Sequence, residues 1–174
     1  GQPAMERRAH LQQGQCLEVE KYVAMISTLD DPEPVTTAQR AAEQARRRGF
    51  NALRSESDAI WTEIWREADV RIEGDNEAQI AQRFNTFQLV IAAPAFTERA
   101  SIGAKTLSGF GYRHHVFWDT EIFILPLFTH ALPHYARNML LYRYHNLPGA
   151  RKKARGNGYL GAQFPWESAG QDSH

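Results

Sequence analysis

Two tryptophan–acid pairs stand in apolar surroundings: Trp118-Asp119 within HVFWDTEIF, residues 115–123, and Trp166-Glu167 within FPWES. A pyranose ring has an apolar C–H face on which an indole can stack. Its rim of hydroxyl groups can donate strong, charge-assisted hydrogen bonds to a carboxylate. Phosphate groups would instead favour Arg, Lys and helix N-termini, and metal ions would favour clustered His residues. The two pairs therefore indicate a site for a neutral sugar.

The same pairs also admit a purely structural interpretation. Trp118 and Trp166 would then be core residues beside capping acids, and Asp119 is a suitable type for a helix N-cap. In that case the protein would be a non-catalytic helical module for binding or interaction. Residue spacing alone leaves both interpretations open.

Three polar residues precede the first pair. We expect Arg113 either to donate to a sugar hydroxyl or to orient Asp119. His115 is expected to contact sugar or to lie in the core, and His114 to be exposed. Adjacent histidines rarely face the same way, and no third ligand is suitably spaced. The sequence therefore predicts no metal site.

Bulk composition excludes several classes of protein. The chain has 174 residues, enough for one domain with its own core. Its 20 basic and 20 acidic residues cancel, whereas nucleic-acid binders usually carry a basic excess. Cys16 is the single cysteine, so no intrachain disulfide can form. There is no apolar run long enough to cross a bilayer and no signal-peptide core. We expect a cytoplasmic protein without nucleic-acid or membrane partners.

The N-terminal segment alternates between apolar and polar residues over part of 7–28, with QQGQ where a turn would fall. This pattern predicts a two-stranded hairpin, which needs a further sheet or helix to pack on. A lone hairpin before a helical chain suggests the end of a β-domain.

Helical periodicity begins after DDPEP. Thr36 and Gln39 resemble a capping box, and Gly49 is a typical C-terminal stop. A second helix is predicted from about Ser55. Its tryptophans, Trp61 and Trp65, repeat at helical spacing and are interpreted as core rather than as a ligand platform.

Four further helices are predicted. The third begins after Asp75 as N-cap and stops at Pro94. The others begin at Asp119 or Thr120 with a bend at Pro126, at Pro133, and at Pro148 with an end at Gly156. A long glycine-containing loop separates the third helix from the fourth, and such loops are often functional. Its Gly109-x-Gly111 lacks the context of a phosphate loop and is interpreted as backbone that passes close to another group.

Two long segments resemble the central catalytic domain of glycoside hydrolase family 65. They are LSGFGYRHHVFWDTEIFILPLF and ARNMLLYRYHNLPGARKKARGNGYLGAQFPWES, and WTEIWREADVRIEGDNEAQIAQRFNTFQL before them is also similar. The resemblance covers about residues 50–172. His114 departs from the family pattern, in which a glycine is expected before the histidine.

The resemblance implies a mainly α fold. The family has a six-hairpin (α/α) barrel preceded by linker helices and an N-terminal β-sandwich. Residues 1–34 would then be the end of the sandwich and its linker. Residues 35–73 would be linker helices, and residues 74–174 the truncated first part of the barrel.

The resemblance also implies a function. In the family, the residues matched by Trp118, Asp119, Trp166 and Glu167 line the subsite for the non-reducing glucose. The family inverts configuration, as a glutamic acid protonates the glycosidic oxygen while phosphate or an activated water attacks from the opposite face. That acid lies in a later Asp-Glu-Tyr-His-like motif, so we assign no catalytic residue in this chain.

The expected protein is therefore a fragment of an inverting α-glucoside phosphorylase or hydrolase acting on disaccharides such as maltose, trehalose or kojibiose. No cofactor is expected, and inorganic phosphate would be the co-substrate of a phosphorylase. Its partners would be the disaccharide or glucose and the remainder of the same polypeptide. Self-association through the apolar strip 122–128 is also expected.

Overall fold

The computed structural model describes residues 8–168, and over this range the chain is mainly helical. The elements are α1 (Pro34–Arg48), α2 (Phe50–Ala68), α3 (Asn76–Ala92), β1 (Val116–Phe117), α4 (Leu125–Ala131), α5 (Pro133–His145), α6 (Leu147–Gly156) and β2 (Glu167–Ser168). Two compact units divide within α2, one ending at Ser57 and the other beginning at Asp58. The predicted mainly α class is confirmed.

The predicted N-terminal hairpin forms its turn but not its strands. The Gln15 amide donates to the Gln12 carbonyl at 3.0 Å, with Gly14 at a φ of 87° between them. No strand pairing occurs between residues 8 and 33. The apolar side chains of Val19 and Met25 are 70% and 90% exposed. Because nothing covers this apolar face within the described part of the unit, pairing would gain too little stabilisation.

Helix α1 begins two residues before the predicted capping box. Pro34 occupies its first turn, where the missing N–H leaves no donor unpaired. Asp31 accepts hydrogen bonds from the Glu33 amide at 2.7 Å and from the Thr37 hydroxyl at 3.1 Å. These bonds hold the preceding turn, so the capping role predicted for Thr36 is wrong.

The stop at Gly49 is confirmed, and it also corrects the start of α2. Gly49 has a φ of 80°, and its amide donates to the Ala45 carbonyl. The chain turns so tightly that α2 begins at Phe50 rather than near Ser55. The arginines 46–48 occupy the last turn of α1, where a positive charge interacts favourably with the helix dipole.

The core of the second unit joins α2, α3, α4 and α5. Its buried members are Ala68, Val90, Ile102, Phe128, Leu132, Tyr135, Ala136 and Met139. Trp61 packs against this cluster, with its ring 5.1 Å from Phe87 and 5.7 Å from Trp65. The core interpretation is confirmed for Trp61, whereas Trp65 is half-buried and contacts Trp61 without being part of the cluster.

Helix α3 follows the predicted limits. The Asp75 side chain accepts a hydrogen bond from the Ala78 amide at 2.9 Å, and the helix ends at Ala92, two residues before Pro94. Arg83 donates to both oxygens of Asp69, at 2.8 and 2.6 Å, and so ties α3 to the end of α2. These hydrogen bonds lower the pKa of Asp69.

Side chains of α5 hold the first part of the long loop after α3. The Asn138 amide donates to the Pro94 carbonyl at 2.8 Å. Glu98 lies 3.2 Å from the His145 ring nitrogen and 3.0 Å from Arg137. The hydrogen bonds with His145 and then with Arg137 lower the pKa of Glu98. The loop therefore enters the region of the tryptophan–acid pairs from a fixed position on α5.

The chain between Asp119 and α4 forms a π-helical turn over Thr120–Ile124. The Leu125 amide donates to the Thr120 carbonyl, and α-helix follows from there through Pro126. Of the apolar strip 122–128, Phe123 is 73% exposed whereas Phe128 is fully buried. The strip is therefore divided between surface and core, and self-association through it stays a prediction.

Candidate functional site

The first tryptophan–acid pair is held by its buried neighbours. Phe117, just before the pair, is buried, and Thr120, just after it, is 0% exposed. The Thr120 hydroxyl donates to the Ile102 carbonyl at 2.8 Å. Between these anchors Trp118 stays 42% exposed. The pair is therefore held between two buried residues, with Trp118 partly exposed.

The second pair is brought to the first by a short antiparallel ladder. In it Phe117 lies opposite Glu167, and Val116 lies opposite Ser168. Helix α6 positions the segment that leads to the second pair. The Gln163 amide, after the helix, donates to the Ala150 carbonyl within it at 2.9 Å, so the chain runs back along α6. The sequence pattern did not predict this ladder, because two residues per strand produce no detectable alternation.

The two indoles lie together on the same side of the molecule. The Trp118 and Trp166 rings are 5.2 Å apart and nearly perpendicular. The Trp118 indole N–H donates to the Pro165 carbonyl at 2.9 Å. Trp166 also packs edge-on against Phe117, whose other neighbour is the ring of Tyr112 from the glycine-containing loop. An aromatic surface from that loop to Trp118 is thus continuous.

Glu167 is oriented by a histidine rather than by the backbone. Its Oε1 lies 2.6 Å from His115 Nδ1, and it keeps 48% of its side chain exposed. Its other oxygen accepts no hydrogen bond from a residue within 8–168. His115 thus supports the acid of the second pair.

Asp119 does not cap a helix. It has helical backbone angles, and its side chain makes no capping hydrogen bond. The half-buried carboxylate accepts no hydrogen bond from any described residue. This geometry removes the capping role that the sequence left open for Asp119.

Arg113 and His114 lie in a left-handed turn before the first pair. Tyr112, Arg113 and His114 have φ values of 58°, 51° and 60°. Both Arg113 and His114 are exposed, and Arg113 makes no ion pair with an acid among residues 8–168. Gly103 packs closely against this turn, since a Cβ there would lie 2.9 Å from the His114 carbonyl oxygen. Of the predicted pair, Gly109 has open space around it, whereas a Cβ at Gly111 would lie 3.1 Å from the Lys105 side chain. The close approach predicted for the pair is therefore found at Gly111 and not at Gly109.

His114→Gly should stabilise the protein by about 1 kcal/mol, because a non-glycine residue in the left-handed region costs about 1–3 kcal/mol. The measurement is the midpoint of urea unfolding. His130→Gly is the matched control, because His130 lies exposed in α4 with ordinary helical geometry and should lose a few tenths of a kcal/mol. Loss of stability in both variants would contradict the left-handed turn.

Arg143 is the functional candidate that sequence reasoning missed. It lies buried on α5, and its guanidinium donates to both oxygens of Glu121, at 2.9 and 2.7 Å. It also donates to the Phe117 carbonyl at 3.2 Å. The available signal was an arginine within the apolar helix LLYRY. Its neighbour Tyr142 has a pKa raised by burial.

A cavity of about 500 Å³ lies on the Glu121 side of Trp118. It is lined by Trp118, Glu121, Ile122, Arg143, Ala162, Gln163 and Phe164.

Within residues 8–168, no group of three or more His, Cys, Asp or Glu side chains could hold a metal ion. None of the helices in this range is long and apolar enough to span a membrane.

Two family models match the chain. The model of the glycosyl hydrolase family 65 central catalytic domain matches residues 83–174. The model of the family's N-terminal domain matches residues 2–64. Together the two matches include residues of both units and leave residues 65–82 unmatched.

Similar proteins include several phosphorylases. A kojibiose phosphorylase of Halothermothrix orenii is 45% identical over 91% of this chain and 22% of its own length. A kojibiose phosphorylase of Escherichia coli is 39% identical over 95% of this chain and 23% of its length. An alpha,alpha-trehalose phosphorylase of Thermoanaerobacter brockii is 33% identical over 90% of this chain and 20% of its length. The chain thus spans about a fifth of the length of these curated relatives.

A solved structure is similar in fold to this chain. It is a candidate kojibiose phosphorylase from the human microbiome, superposable with a TM-score of 0.71 at 28% sequence identity. The match covers 77% of this chain and 20% of that one.

Proposed function

The chain belongs to glycosyl hydrolase family 65, and from this membership we propose that it is part of an inverting α-glucoside phosphorylase acting on glucose disaccharides. Relatives named as kojibiose, nigerose and trehalose phosphorylases favour phosphorolysis over hydrolysis. Inorganic phosphate would be the co-substrate, and no metal or organic cofactor is required by the reaction. The choice of disaccharide lies with residues outside the two tryptophan–acid pairs.

One observation carries the proposal: the two pairs come together, and within residues 8–168 nothing donates a hydrogen bond to Asp119 or to the second carboxylate oxygen of Glu167. Trp118 and Trp166 lie 5.2 Å apart, and the Asp119 carboxylate accepts no hydrogen bond from a described residue. A glucosyl unit on these indoles would bury its apolar face. Its hydroxyls would donate to Asp119 and to the free oxygen of Glu167, and bonds to a charged acceptor are the strong ones.

Each remaining candidate has a supporting role. We assign His115 to the orientation of Glu167, since the two side chains are 2.6 Å apart. Arg113 is exposed beside the site and is free to meet a hydroxyl at the rim. The general acid is proposed to come from a part of the enzyme outside this chain. In the reaction, that acid gives its proton to the glycosidic oxygen as the bond to the anomeric carbon breaks and a phosphate oxygen bonds that carbon from the opposite face.

The domain division of the chain follows from the same proposal. Residues 1–34 would close a β-sandwich domain, residues 35–73 would be linker helices, and residues 74–174 would begin an (α/α) barrel. The separate matches of the N-terminal and central domain models support a change of domain between residues 64 and 83.

The alternative is a helical interaction module whose tryptophan–acid pairs are structural. It predicts that Asp119 caps a helix and that sugars leave the protein unaffected. The absence of a capping hydrogen bond at Asp119 weighs against it.

The reaction itself tests the proposal. We define the complete enzyme as the polypeptide that carries this chain together with the general acid. With an α-linked glucose disaccharide and phosphate, it should release glucose and the β-anomer of glucose 1-phosphate, because inversion changes the anomeric configuration. Proton NMR of the glucose 1-phosphate that is formed identifies its anomer. The α-anomer would contradict inversion, and release of glucose without phosphate uptake would indicate a hydrolase.

The 174-residue chain alone should turn over maltose, trehalose and kojibiose more slowly than the complete enzyme. The expected factor is about 10²–10⁴, the usual contribution of a general acid. The assay compares glucose and glucose 1-phosphate release with and without phosphate. Robust turnover by the chain alone would mean that the acid lies within it.

A further inference from the structure

Arg143 contacts every segment that carries a tryptophan–acid pair. Phe117, whose carbonyl it binds at 3.2 Å, directly precedes Trp118-Asp119. Ser168, whose hydroxyl lies 3.4 Å from Arg143 Nη1, directly follows Glu167. Both contacts lie along the ladder in which Phe117 pairs with Glu167. One guanidinium thus spans the junction between the two pairs.

Glu121 is a third acid, two residues after Asp119, and its carboxylate is bound by Arg143. Both of its oxygens accept from the guanidinium, at 2.9 and 2.7 Å, and its side chain is 26% exposed. The two-pronged geometry fixes the relative orientation of the two groups more closely than a single bond would. Glu121 therefore pairs with a protein cation, whereas Asp119 and one oxygen of Glu167 accept no hydrogen bond from residues 8–168.

The energetics favour a role in orientation over a role in stability alone. A buried ion pair often contributes no more stability than apolar residues of similar volume, because both charges lose water. A ladder of two residue pairs is in turn too short to hold its own register. Only a planar group with several donors in a fixed fork can bind both oxygens of Glu121 and the Phe117 carbonyl at once.

We propose that Arg143 is a positioning residue that sets the register of Trp118-Asp119 against Trp166-Glu167, acting through Glu121, the Phe117 carbonyl and Ser168. The inference rests on the proposed function for its catalytic consequence. Its structural consequence, the mutual placement of the two indoles, can be measured without any activity.

Arg143→Lys keeps the charge and removes the fork. Arg137→Lys is the matched control, because it makes the same change on α5 at an exposed pair with Glu98. The chain holds four tryptophans, so fluorotryptophan labelling gives four fluorine NMR signals, assigned by single Trp→Phe variants. Arg143→Lys should shift the signals of Trp118 and Trp166 and leave those of Trp61 and Trp65, and Arg137→Lys should shift none.

In the complete enzyme, Arg143→Lys should raise KM for the disaccharide about tenfold or more with kcat changed less than about threefold, the mark of lost uniform binding. A merely structural role would lower the active fraction, and thus kcat, with KM unchanged. Glu121→Gln should likewise raise KM and change kcat little. If Arg143→Lys shows no cooperative thermal melt and is therefore unfolded, Glu121→Gln provides the test.

The outcomes separate the two proposals. Unmoved Trp118 and Trp166 signals in the folded variants, or a loss confined to kcat, would overturn the positioning role and leave the proposed function intact. An unmutated complete enzyme without activity on disaccharides would overturn the proposed function, and the fluorine signals would still decide whether Arg143 sets the register.

Discussion

Asp119→Asn in the complete enzyme is expected to lower kcat/KM by about ten- to a hundred-fold, with little change in melting temperature. A hydrogen bond to a charged group contributes roughly 1.5–3 kcal/mol, and each 1.4 kcal/mol corresponds to a factor of ten. The amide keeps the shape of the side chain, but one of its two ends donates instead of accepting. Kinetics and a thermal melt on the same preparation provide the measurement.

Asp75→Asn is the matched control for this substitution. Asp75 caps α3 through the Ala78 amide at 2.9 Å, and asparagine caps a helix about as well as aspartate. That variant should therefore keep both its activity and its melting temperature. If Asp119→Asn behaved like Asp75→Asn, the role of Asp119 as a sugar ligand would be untenable.

Phe128→Ala is expected to lower the free energy of unfolding by about 3–5 kcal/mol, the usual cost of emptying a fully buried aromatic position. Phe128 is 0% exposed and packs against the ring of Tyr135 in the core that joins α4 to α5. The loss should appear as a lower midpoint in urea with an unchanged slope.

Phe123→Ala is the control, because Phe123 lies five residues earlier in the same apolar strip and is 73% exposed. Surface substitutions of this kind usually change stability by less than about 0.5 kcal/mol. Equal losses in the two variants would mean that the strip is not divided between surface and core. Light scattering of Phe123→Ala also tests whether self-association uses the exposed part.

Helix limits that depend on neighbouring residues were predictable. The Asp75 cap, the Gly49 stop and the start of α5 at Pro133 all follow from local contacts between a side chain or a special backbone and the adjacent turn. Where two residues near each other could each start a helix, the predicted start was wrong. Pro34 began α1 ahead of Thr36, and Gly49 allowed α2 to begin ahead of Ser55.

The hairpin failed for a different reason. Alternation within residues 7–28 describes a strand with one buried face, and burial depends on a partner surface that the pattern cannot supply. Val19 and Met25 are exposed in the described structure, so the turn at Gly14 forms without a ladder.

The residue types of the candidate site could be read from the chain, since an indole beside a carboxylate has the same chemistry in any fold. Their arrangement could not. Trp118 and Pro165 are 47 residues apart in sequence, and His115 and Glu167 are 52 apart. Only the packing of α5 and α6 brings these segments together and places Arg143 between them. The same packing pairs Glu121 with a buried guanidinium, whereas Asp119 accepts no hydrogen bond within residues 8–168. The sequence pattern does not show which of the two acids meets the guanidinium.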